Sequence, residues 1–317
     1  MIGVPSDVAA ELTAAHNLGR LRPNSTRARP RLTARRLLHL LQKGTTVFGI
    51  PLEVSSLMPA VPTGWDIFAS EFLGTFLLIA AGTCVTAANL LPKSKAQNSG
   101  WVVITIGWGF AVYVGVYAAW KTGGHLNPAV TLAKVIAHMI DPAVTLNGLQ
   151  LGAGGIAVTP NNVLLYVLAQ FVGAFLGAGV AWLAFRKHYD EDLDPAIKLG
   201  SFATGPAIRS YGWNLLTEIL ATATLVAWVF VSGGTPTQVG PLAVAFVVVL
   251  IGMGFGGATG YALNPARDLG PRIAHAVLPI KGKGGSDWSY AWVPIVGPLI
   301  GAVLGTILPY ALGMAVF

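Results

Sequence analysis

The triplet Asn-Pro-Ala occurs twice, as Asn127-Pro128-Ala129 and Asn264-Pro265-Ala266, each after a glycine-rich run in a largely apolar chain. Asn followed by Pro starts a helix. Asn caps the first turn, and Pro suits the first helical position because the N–H it lacks has no partner there. A helix that starts within a membrane presents free backbone N–H groups and a partial positive charge at its tip. Two such tips in corresponding places of a duplicated chain predict a polar site at the bilayer midplane.

The surrounding sequence has the composition of a membrane protein. Of 317 residues, 54% are hydrophobic and 10% are charged, whereas a soluble domain carries roughly 25% charged residues. Glycine, with 39 residues, allows membrane helices to approach closely. The single cysteine, Cys84, excludes an intramolecular disulfide and a cysteine-based metal site. The formal charge of +7 does not point to nucleic acid, because eight of the twenty Lys and Arg residues precede position 64.

Six segments are apolar and long enough to span roughly 30 Å of hydrocarbon: Trp65–Leu91, Trp101–Trp120, Val163–Phe185, Trp213–Ser232, Gly240–Phe255 and Tyr290–Leu312. Two shorter apolar stretches follow Asn127 and Asn264 and are expected to be half-helices. The expected fold is therefore an all-α membrane protein with six transmembrane helices and two re-entrant half-helices. Glu71 in FASEFLGTFLLIA and Glu218 in NLLTEILATATLV each precede an Asn-Pro-Ala by one span. Three spans per unit is an odd number, so the second unit is inserted upside down and the two Asn-Pro tips meet. Residues 1–64 form a separate basic extension, expected to be disordered, and residues 65–317 form the membrane domain. Within the extension, Arg31–Lys43 reads as a short amphipathic helix, a transit segment or a plain cytoplasmic tail. Met58 offers a later start of translation, which would leave the extension outside the native protein. The positive-inside rule assigns the extension and the Arg186–Arg209 connection to the cytoplasm, with the C-terminus on the same side.

Asn127 and Asn264 offer side-chain amides to the cavity. The carbonyls of Gly123, Gly124 and His125, and of Gly260, Tyr261 and Ala262, lack helical partners and form a ladder of acceptors. Donors at the centre and acceptors along the walls suit water or a polyol, and two converging helix N-termini oppose cations. Arg267 either faces a water-filled path or pairs with Asp268. Asp268 can also accept hydrogen bonds from the loop backbone. Glu71 and Glu218 are either a proton relay or acceptors for loop N–H groups, and the second reading explains one per repeat. His125 lines the path or holds backbone, and Gln170 joins helices. No metal-ligand cluster, cofactor loop or nucleophile–base pair stands out; His138, His188 and His275 are scattered.

GHLNPAVT and GYALNPARDLGPR resemble the two signatures of the aquaporin family, also called major intrinsic proteins, over about residues 64–313. Asp268, Arg272 and Pro294-Ile295 resemble the glycerol-facilitator branch. The resemblance implies a passive channel for glycerol, water and similar small neutral solutes, embedded in the cell membrane as a homotetramer with both termini cytoplasmic. It also implies a selectivity constriction of Trp108, Gly252, Tyr261 and Arg267, in which Gly252 leaves room that a His would fill. Tyr261 departs from the Phe of the bacterial facilitator, which keeps a mainly water-selective channel as an alternative. A proton-coupled transporter is the alternative of a different class. No enzymatic activity, cofactor, metal or nucleic acid partner is expected.

Overall fold

The computed structural model describes residues 2–3, 46–47, 50–51, 60–151, 153–235 and 238–316. The chain divides into two units, Met1–Ala60 and Val61–Phe317. In the first, strands β1 (Ile2–Gly3), β2 (Thr46–Val47) and β3 (Ile50–Pro51) pair antiparallel in that order. The expected amphipathic helix over Arg31–Lys43 lies outside the described residues.

The second unit is helical. Its principal helices are α1 (Gly64–Leu90), α2 (Trp101–Ala118), α3 (Pro128–Ile140), α4 (Pro160–Ala184), α5 (Tyr211–Val231), α6 (Leu242–Gly254), α7 (Pro265–Val277) and α8 (Val293–Ala311). Five of these, α1, α2, α4, α5 and α8, are long and apolar enough to cross a membrane. The expected span over Gly240–Phe255 is regular for only 13 residues in α6, about 20 Å of helix. Beyond Phe255 a separate turn, Gly256–Thr259, carries the chain on. The interruption lets Gly256 face an aromatic ring, as described below.

The repeat is visible in the packing. Helix α1 lies against α4, and α5 lies against α8. A Cβ at Gly173 would sit 2.6 Å from the Phe72 carbonyl oxygen, and one at Gly301 would sit 2.5 Å from that of Ile219. Both contacts are too short for any side chain, so glycine sets both helix separations. The half-helices cross over between the repeats: α3 packs on α8, and α7 packs on α4. Ala129, Ala133 and Ala137, spaced one turn apart along α3, bury against Val226, Phe230 and Ala302.

Salt bridges and loop contacts correct the charge-based topology. Lys93 pairs with Glu191 at 2.8 Å, Lys198 donates to the Lys281 carbonyl at 2.5 Å, and Arg209 pairs with Asp287 at 2.6 Å. These contacts gather the connections after α1, α4 and α7 on one face. On the other face, Lys121 pairs with Asp66 at 2.6 Å, and Asn147 donates to the Lys121 carbonyl. The Arg186–Arg209 connection and the start of α1 therefore lie on opposite faces, because three crossing helices separate them. The basic residues of this connection bind carboxylates and carbonyls; Arg186, for example, pairs with Asp190. Their role is structural, so a simple count of them misleads.

Candidate functional site

The two loops that lead into α3 and α7 are built alike. A helical turn ends at Gly123 in one and Gly260 in the other, with φ of 80° and 84°. Gly124 and Tyr261 follow at 62° and 41°, then Leu126 and Leu263 at 55° and 58°. These left-handed positions favour glycine, so Tyr261 and the leucines are held there by their surroundings.

A buried glutamate does much of the holding in each repeat. Glu71 accepts from the backbone N–H of His125 at 3.0 Å and of Leu126 at 2.8 Å, and from Thr122 Oγ1 and Gln170 Nε2. Glu218 accepts from the N–H of Ala262 at 3.0 Å and of Leu263 at 3.2 Å, and from Thr259 Oγ1. Neither glutamate borders either of the two cavities along the bundle. Thr122 and Thr259, which the sequence reading missed, stand at the same offset as Asn127 and Asn264; that equal spacing was the available signal.

The Asn-Pro tips meet and brace one another. Asn127 Nδ2 donates to the Leu263 carbonyl at 2.9 Å, and Asn264 Nδ2 donates to the Leu126 carbonyl at 2.7 Å. Each Oδ1 caps its own half-helix by accepting from the N–H of Ala129 or Ala266. An amide nitrogen carries two N–H donors, so one on each Asn remains for the cavity that both line. The carbonyls of Gly123, Gly124, His125, Gly260, Tyr261 and Ala262 accept no protein hydrogen bond among the described residues. Pro128, Ala129, Pro265 and Ala266 are buried behind the tips.

An inner cavity of about 190 Å³ and a wider vestibule of about 540 Å³ lie along the bundle. Three residues border both, Trp108, Tyr261 and Arg267, so these side chains stand where the two spaces meet. The Arg267 guanidinium lies 3.8 Å from the centroid of the Trp108 ring. It donates to the Phe202 carbonyl at 3.1 Å. The Trp108 indole N–H donates to Thr86 Oγ1 at 2.9 Å, which fixes the ring plane. Stacking and a carbonyl partner leave further guanidinium N–H donors for a solute.

Gly252 borders neither cavity. The resemblance implies open space beside Gly252, but Tyr261 occupies that space. A Cβ at Gly252 would lie 2.8 Å from Tyr261 Cζ, and one at Gly256 would lie 2.5 Å from Tyr261 Cδ1. The two glycines form a slot for the ring, closed by the Trp101 indole edge-on at 5.9 Å. The Tyr261 hydroxyl is buried without a protein partner, so the ring rather than the hydroxyl faces the junction.

Asp268 and Arg272 form a fully buried pair at 2.7 Å, and Arg267 is not part of it. Asp268 accepts from both the N–H and Oγ1 of Thr204 at 2.7 Å. Arg272 donates to the carbonyls of Thr204, Ser286 and Asp287. The pair therefore joins α7 to the Phe202–Thr204 segment whose carbonyl holds Arg267. At the vestibule rim, burial pushes the Asp287 carboxyl up, but its bonds to Arg209 and Ser289 outweigh this and hold it below the usual carboxylate range.

On the inner side, His125 Nε2 donates to the Leu146 carbonyl at 2.7 Å, while Nδ1 faces Thr131 Oγ1 at 3.1 Å. The Nε2 proton is assigned because a carbonyl can only accept. Gln170 Nε2 lies 3.0 Å from the same Thr131 oxygen. Leu146 and Asn147 border the inner cavity, a role that no local pattern in the sequence signals. Among the described residues, no group of three or more His, Cys, Asp or Glu could hold a metal.

The family model for "Major intrinsic protein" matches residues 60–142 and 137–309. Glycerol uptake facilitator protein 3 of Lactiplantibacillus plantarum is 48% identical over 241 residues, covering 75% of this chain and 93% of the relative. A probable glycerol uptake facilitator protein of Thermotoga maritima is 48% identical over 247 residues, covering 77% and 97%. The X-ray structure of the aquaglyceroporin from Plasmodium falciparum superposes with a TM-score of 0.62 at 26% identity, covering 78% of this chain and 96% of that one. Sequence, paired half-helices and fold agree: the chain belongs to the major intrinsic protein family.

Proposed function

We propose that the chain is a passive membrane channel for glycerol and other small neutral solutes, with some water, that excludes ions and protons. The observation that carries this is the junction of the two cavities. Trp108 and the Tyr261 ring offer an apolar corner to a carbon backbone, opposite the donors of Arg267. Free carbonyls on both sides accept from hydroxyls in transit. Relatives named as glycerol uptake facilitators support the same solute class. The buried Tyr261 hydroxyl weakens the case for a mainly water-selective channel. Among the described residues no carboxylate borders the inner cavity, since Glu71 and Glu218 are turned to the loops and Asp287 stands only at the vestibule rim, which weakens the case for proton coupling.

The chain is an integral membrane protein. The eight basic residues before position 64 favour a cytoplasmic N-terminus. Six crossings would return the C-terminus to that side, and the family resemblance implies a homotetramer with one path per subunit. Reswelling of proteoliposomes in glycerol, urea, lactic acid and water tests the function. Glycerol should enter rapidly, with no effect of a protonophore, and removing residues 1–57 should leave that flux in place. Glycerol entry that stops when the proton gradient collapses would establish a coupled transporter instead.

A further inference from the structure

The Trp108 indole, on the wall of the junction, is held by groups from α1. Its N–H donates to Thr86 Oγ1 at 2.9 Å. The Thr86 hydroxyl proton goes in turn to the Gly82 carbonyl, one turn earlier in α1, at 3.1 Å. The benzene half of the ring lies on Gly82, where a Cβ would stand 2.4 Å from Cε3 and Cζ3 and 2.7 Å from Cδ2. Thr86 and Trp108 are both buried in the bundle, and both border the vestibule. An indole carries one N–H and no acceptor, and a hydroxyl carries one proton. Both donors are therefore used before a solute arrives. Trp101, the other indole that borders the vestibule, donates to the Gly252 carbonyl at 2.8 Å. Among the described residues, each indole N–H at the vestibule is thus bound to protein.

We infer that Thr86 is a positioning residue for selectivity: it withdraws the Trp108 N–H from the solute, so that this wall of the junction presents carbon alone and Arg267 supplies the donors. The inference deepens the channel reading above and rests on it. A polyol needs an apolar surface for its carbon backbone and polar groups for its hydroxyls. Water needs only the polar groups. A free indole N–H on the apolar wall would give water a partner there, which the carbon backbone of a polyol would have to displace without replacing the bond. Binding that donor inside the protein denies water the site and leaves the polyol its contact with the ring.

The test is reswelling of proteoliposomes that hold the full chain, in glycerol and in water, with Thr86→Val, Thr86→Ser, Trp108→Phe and the Thr86→Val/Trp108→Phe double variant. Thr86→Val keeps the shape and removes the acceptor. It should lower the glycerol-to-water flux ratio about threefold or more, the worth of a hydrogen bond. Thr86→Ser keeps the hydroxyl and should hold the ratio within about twofold of the unaltered chain. Trp108→Phe has no N–H to release, so adding Thr86→Val to it should move the ratio by less than about twofold. Thr86→Ala removes the hydroxyl without a branched replacement and carries the same expectation as Thr86→Val, should that variant insert poorly. By NMR, the Trp108 indole N–H resonance, identified by its loss in Trp108→Phe, should exchange faster with water in Thr86→Val and not in Thr86→Ser. An unchanged ratio in Thr86→Val, an equal shift in Thr86→Ser, or a full Thr86→Val effect in the Trp108→Phe background would overturn the inference. Failure of the unaltered chain to pass glycerol would instead refute the channel reading, so the two can fail separately.

Discussion

At the residue scale, the Tyr261 ring controls the junction, and two glycines control the ring. Its hydroxyl is buried without a protein partner, a situation that costs about 1–3 kcal/mol. Tyr261→Phe should therefore change the glycerol-to-water flux ratio by less than about twofold and leave the thermal unfolding midpoint equal or higher. A large shift of the ratio in reswelling assays would show that the hydroxyl reaches the solute. Gly252→His should reduce glycerol flux far more than water flux. Its Cβ alone would meet Tyr261 Cζ at 2.8 Å, and the slot leaves the ring no retreat except toward the path. Gly256→Ala should act in the same direction but less strongly. Equal loss of both fluxes in either variant would mean that the ring is not the wall of the path.

At the scale of elements, each re-entrant loop hangs from one carboxylate. Glu71 holds four donors and Glu218 three. Glu71→Ala would strand one more buried donor than Glu218→Ala, worth about 1–3 kcal/mol. Both variants should lower the thermal midpoint in detergent, Glu71→Ala the more; a reversed order would contradict this account. The glutamates were legible in the sequence because each repeat has one, and a loop with free N–H groups needs an acceptor. The threonines that share the task are marked only by their equal offset from Asn127 and Asn264, a signal of the repeat and not of either loop alone. Asp268 was legible as a loop acceptor, but its partner Arg272 is defined by contacts with Thr204, Ser286 and Asp287, which are remote in sequence.

At the scale of the whole molecule, topology is the property most open to test. Lys187→Cys and Lys281→Cys should be labelled by a membrane-impermeant thiol reagent from one side. Gln150→Cys should be labelled only from the other, all in a Cys84→Ser background. Labelling of Lys187→Cys and Gln150→Cys from the same side would overturn the arrangement of the three connections. The loop ion pairs show why charge counting failed here: most bases of the Arg186–Arg209 connection are matched by local acids or carbonyls.

The sequence by itself determined the membrane class, the inverted repeat, the paired helix starts and the two buried glutamates. Those properties follow from composition, span length and spacing, all local or periodic along the chain. Only the tertiary structure decided which groups meet. It assigned one N–H of each Asn to the opposite loop, gave the space beside Gly252 to Tyr261, separated Arg267 from Asp268, and tied the Trp108 N–H to Thr86. Each outcome depends on contacts between segments far apart in sequence, where side-chain direction and close packing decide, and no spacing along the chain encodes them.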